Sequence, residues 1–93
     1  MGKMKSSQST ELTIAEAVKK YFSDVEFIKE GTDEVVFKKN SKTVKIFRNN
    51  NRTTCVQTFA DGSKRLLYAE VQEKYTVAES INKAKAAIEA ALA

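Results

Sequence analysis

Residues 34–59 read EVVFKKNSKTVKIFRNNNRTTCVQTF, and this stretch decides the fold. Three blocks in it, EVVFKK, TVKIFR and RTTCVQTF, are rich in β-branched and aromatic residues. Such residues suit a pleated, half-buried surface. Asn40-Ser41 and Asn49-Asn50-Asn51 separate the blocks, and asparagine and serine favour tight turns. Links this short force antiparallel neighbours. The stretch therefore reads as two consecutive hairpins.

Strands extend outward on both sides. VEFIKE (25–30) precedes Gly31-Thr32-Asp33, and KRLLYAEVQ (64–72) follows Asp61-Gly62. Asp-Gly suits the positive φ of a two-residue type I′ turn. Beyond the strands lie two amphipathic helices opened alike, by the capping boxes Thr13-Ile-Ala-Glu16 and Thr76-Val-Ala-Glu79. Ile14, Val18, Tyr21 and Phe22 make one apolar stripe; Val77, Ile81, Ala84, Ile88 and Leu92 make the other. The fold class is α+β: an antiparallel meander of about five strands between an N-terminal and a C-terminal helix, α-β-β-β-β-β-α. Residues 11–93 read as one small domain. Residues 1–10, MGKMKSSQST, are polar, aperiodic and expected to be disordered.

Loop lengths assign the sheet faces. Two residues in the Asn40-Ser41 turn set Phe37 opposite Val44 and Val35 opposite Ile46. Three residues in the next loop set Val44 opposite Val56. A two-residue Asp61-Gly62 turn sets Val56 opposite Leu67. The expected core face is then Val35, Phe37, Val44, Ile46, Val56, Leu67, Ala69 and Val71. The opposite face collects Lys38, Lys45, Phe47, Cys55, Gln57, Phe59, Lys64, Leu66 and Tyr68. The first strand stays open, because a one-residue change in its loop exchanges Phe27 and Ile28 between faces.

Charge gives the lead on function. Val35 to Ala60 holds six basic residues and no acidic one, in a chain of 93 residues with 16 basic, 12 acidic and a net charge of +4. The rest of the chain is therefore net acidic, ten basic against twelve acidic. A basic hairpin surface carrying aromatics suits a polyanion: ammonium and guanidinium groups track phosphates while rings stack on bases. The candidate nucleic-acid-binding residues are Lys38, Lys39, Lys42, Lys45, Phe47, Arg48, Arg52 and Tyr68. A single strand fits a flat aromatic surface better than a duplex, and nothing present reads bases in a sequence-specific way. The alternative is a small inhibitor or adaptor that docks the same face on an acidic protein or on its own copy as a homodimer.

Other chemistry is sparse. The chain has no histidine and one cysteine, Cys55. No Ser–His or Cys–His pair can form, and no disulfide can close within the chain. Cys55 falls mid-strand, where a lone thiol packs. No zinc-ligand spacing or phosphate-cradling glycine loop is present. The expectation is a non-enzymatic protein without metal or cofactor. No apolar run reaches membrane-spanning length, so the expected setting is cytoplasmic, with no membrane partner.

Overall fold

The computed structural model of the protein describes residues 12–71 and 75–93. The tail expected at residues 1–10 and Gln72, the last residue of the fifth strand as read from sequence, lie outside them. The element order is α1 (Ile14–Tyr21), β1 (Glu26–Glu30), β2 (Glu34–Lys39), β3 (Lys42–Asn49), β4 (Arg52–Thr58), β5 (Lys64–Val71) and α2 (Val77–Leu92). The five strands form one antiparallel sheet in chain order. The α+β meander with a helix at each end is the architecture expected from sequence.

Both capping boxes form. Thr13 Oγ1 accepts from the Glu16 amide at 3.2 Å, and Glu16 Oε1 accepts from the Thr13 amide at 2.9 Å. Thr76 and Glu79 repeat this at 3.1 and 2.8 Å. Each box satisfies amide donors that a helix start leaves orphaned. The two apolar stripes meet on one side of the sheet. Ile14, Val18 and Phe22 from the first helical region join Val77, Ile81, Ala84, Ile88 and Leu92 of α2 over Val35, Phe37, Val44, Ile46 and Cys55. Both helices therefore cover one sheet face, and among the described residues the other face is bare.

The β2–β3 turn closes as read, with Asn40 and Ser41 both at positive φ (54° and 65°) and Lys39 opposite Lys42. The β3–β4 turn corrects the sequence reading. It holds two residues, Asn50 and Asn51, so Asn49 pairs with Arg52. Asn50 enters the left-handed region at φ 58°, which asparagine tolerates better than most residues. One residue fewer in a loop inverts every side chain of the next strand. Val56 consequently faces Lys45 on the bare side, whereas Cys55 opposes Ile46 and Gln57 opposes Val44 on the helix side.

The β4–β5 turn is longer than the two residues read from Asp61-Gly62. Phe59 N–H donates to the Ser63 carbonyl, Gly62 N–H donates back to the Phe59 carbonyl, and Gly62 takes φ 89°. The longer turn sets Val56 opposite Leu66, and a register shift between Val56 and Cys55 then sets Cys55 opposite Tyr68. Ala69 and Val71 belong to the bare side with Thr54 and Arg52, and Tyr68 belongs to the helix side. The open question on β1 resolves with Phe27 opposite Phe37 on the core face, while Ile28 falls in a bulge and is exposed.

The inverted β4 places polar side chains in the core. Gln57 Nε2 donates to the Ala91 carbonyl of α2 at 3.4 Å. Thr53 is fully buried, and its hydroxyl has no hydrogen-bond partner among the described residues. A buried hydroxyl left unpaired costs about 1–3 kcal/mol. Thr53→Val keeps the shape and removes that group, so it should raise unfolding stability by about 1 kcal/mol in a urea titration.

Candidate nucleic-acid interface

Strand pairing maps the bare face row by row. One row runs Glu26, Lys38, Thr43, Thr58, Lys64; the next runs Lys29, Val36, Lys45, Val56, Leu66. Below them run Glu34, Phe47, Thr54, Ala69 and then Asn49, Arg52, Val71. The face thus has an apolar centre with Phe47 in it. Five basic groups (Lys29, Lys38, Lys45, Arg52 and Lys64) share it with two carboxylates, Glu26 and Glu34. Lys45 Nζ stands 5.3 Å from the centroid of the Phe47 ring, a cation–π distance.

The eight residues singled out from sequence divide between the two sides. Lys38, Lys45, Phe47 and Arg52 share the bare face. Lys39, Lys42, Arg48 and Tyr68 have helix-side register positions. The reason is strand alternation: 38, 45, 47 and 52 share one parity through the two hairpins, and 39, 42 and 48 share the other. The four on the helix side have structural partners there. Lys39 Nζ donates to the Ser23 carbonyl just beyond α1 at 3.3 Å. Lys42 Nζ donates to the Ala93 carbonyl, and Asn40 Nδ2 to that of Leu92 at 2.9 Å. These donors cap a helix whose own last turn carries no basic residue. Arg48 forks onto Asp33 Oδ1 from Nη2 and Nε at 2.9 and 3.2 Å. The Tyr68 hydroxyl donates to Glu70 Oε2 at 3.3 Å, and burial, with Glu70 beside it, pushes its pKa up.

The decisive group on the bare face is Glu34, which the sequence reading passed over. Its carboxylate holds Lys29 on Oε1 and Lys45 on Oε2, the latter at 2.6 Å. These hydrogen bonds keep the Glu34 carboxyl far below its ordinary value, at about 2. Lys38 has a looser link, 3.9 Å to Glu26. The side chains of Arg52 and Lys64 make no hydrogen bond or ion pair among the described residues and stand exposed. The alternation of β2 already placed Glu34 on one face with Lys38 and Lys45; counting carboxylates per face, not per segment, finds it.

A carboxyl whose pKa falls on folding lends stability that is complete above its ordinary value and disappears as pH drops toward the folded value. The Glu34 contribution is therefore present above about pH 4.5 and fades between there and about pH 2. An acid titration followed by circular dichroism should show Glu34→Gln losing less stability across that window than the parent chain.

Cys55 lies fully buried among the core side chains, and burial pushes its thiol up to about 12. It is a thiol at neutral pH, packed and not poised for attack. Among the described residues no three of the metal-ligating acids and cysteine cluster, and no helix is long and apolar enough to cross a membrane. Comparison with known proteins finds no matching family model, and no curated protein or solved structure that matches significantly.

Proposed function

We propose that the chain is a non-enzymatic module that binds the phosphate backbone of nucleic acid, single strands in preference to duplex, through its bare sheet face. The observation that carries this is the make-up of that face: five basic groups against two carboxylates around a half-buried Phe47. Lys38, Arg52 and Lys64 lie toward its margins and meet phosphates; Phe47 offers a ring for one base or sugar. Lys45 and Lys29 contribute less, because Glu34 already occupies them. Sequence preference is weak, since phosphate contacts position a strand without reading it.

Fluorescence anisotropy with a labelled single-stranded oligonucleotide tests this. Phe47→Ser should weaken binding by about 1–3 kcal/mol while the protein stays folded, the range for loss of one stacking contact. Equal affinity of the variant and the parent chain would remove the ring from the interface.

One observation favours a second reading. Val36, Val56, Leu66 and Phe47 adjoin across three strand pairs, and Leu66 is 62% exposed. An apolar centre with a charged rim also suits an acidic protein partner. That partner would depend on Leu66 and Val36 more than on salt, whereas a nucleic acid would depend on salt more than on Leu66.

A further inference from the structure

We propose that a second copy of this chain docks along the free edge of β5, antiparallel, joining two five-stranded sheets into one of ten strands. A sheet that ends in an unpaired strand presents a row of open backbone groups, and proteins usually protect such rows. The β1 edge is protected. It is five residues long, is broken by a bulge at Ile28, and carries Glu26, Lys29 and Glu30. The β5 edge is eight residues long, and Leu66 to Ala69 in its middle carry no charge. On the side away from β4, its backbone has one hydrogen bond among the described residues, from the Val71 amide to the Glu70 side chain.

Charge selects the partner and the direction. β5 begins Lys64-Arg65 and ends with Glu70. Two copies running antiparallel set the basic end of each against the acidic end of the other, twice. Parallel copies would set like charge on like. Leu66, the most exposed large apolar side chain described, stands beside the edge. On the helix side the strand segment Arg65 to Leu67 lines a groove against Ala87, Ala90 and Ala91 of α2. The pairing would also make the two bare faces continuous, but it does not rest on what those faces bind.

Sedimentation equilibrium on the full chain, without nucleic acid, tests the pairing. The mass should rise from one chain to two with concentration. Arg65→Glu alone and Glu70→Lys alone should each weaken association about tenfold or more, because cross-strand attraction becomes repulsion. An equimolar mixture of these two variants should associate again, since each then carries the charges the other lacks. A purely structural effect of either substitution would give no such rescue. Leu66→Lys, on an exposed position, should also dissociate the pair while the circular dichroism spectrum stays that of the folded chain. A parent chain that is single at every concentration overturns the proposal. So does a dimer that neither charge variant weakens, or a mixture that does not re-associate.

Discussion

Phe37→Ala should destabilise the protein by about 3–5 kcal/mol, read as a lower urea midpoint at unchanged slope. Phe37 is fully buried, with ring centroids 5.9 Å from Phe22 and 6.2 Å from Phe27. One ring thus ties the end of α1 to β1 and β2, and no single neighbour can collapse into the space it would leave. Small domains have about 5–15 kcal/mol of stability in total, so the variant should be partly unfolded at physiological temperature. Phe47→Ala is the control from the bare face and should cost far less. Equal losses would mean that the bare face is covered in solution, and the nucleic-acid reading would lose its surface.

Reversing Arg52 and Lys64 to glutamate should weaken binding to every oligonucleotide by roughly a hundredfold at low salt, because two phosphate contacts become repulsions. Both side chains are exposed and without ion pairs among the described residues, so folding should be little changed. Reversing Lys83 and Lys85 should matter little. They lie on α2, away from the bare face, with Lys83 over the Tyr75 ring and Lys85 3.8 Å from Glu89. Lys42 is a poor probe in spite of its place in the basic stretch. Its ammonium holds the Ala93 carbonyl, so Lys42→Glu would disturb the end of α2 as well as any phosphate contact.

The architecture was legible because each local signal agreed with its neighbours: a capping box at each helix, β-branched runs between turn residues, and links too short for a crossover. The face assignment of β4 was not legible. Three consecutive asparagines fit a two-residue and a three-residue turn equally well, and that one residue decides which way the strand points. The strand itself offers no arbitration. Thr53, Cys55 and Gln57 are hardly more polar than Thr54, Val56 and Thr58, and Val56 as the strongest apolar residue suggests the wrong face. Gln57 is accepted inside because the Ala91 carbonyl receives its amide, a tertiary partner no local pattern announces. Tyr68 moved with Cys55: the sequence reading already sets the two opposite each other, so the inversion of β4 carried Tyr68 to the helix side with its partner. The basic residues were counted along the chain, whereas function depends on counting them by face. On that count Lys39, Lys42 and Arg48 support the fold, and Lys64 joins Lys38 and Arg52.

The salt dependence of single-strand affinity, compared between the parent chain and Glu34→Gln, tests the account most directly. Each phosphate contact contributes about 0.7 to the slope of log affinity against log salt for a single strand. Three available cations, Lys38, Arg52 and Lys64, give a slope near −2 for the parent chain. Removing the Glu34 charge frees Lys29 and Lys45, so the variant should bind more tightly and steepen toward about −3.5. No retention of either protein on an oligonucleotide at low salt would contradict the nucleic-acid reading itself. Binding with the same slope in both would contradict the role given to Glu34 and its two lysines.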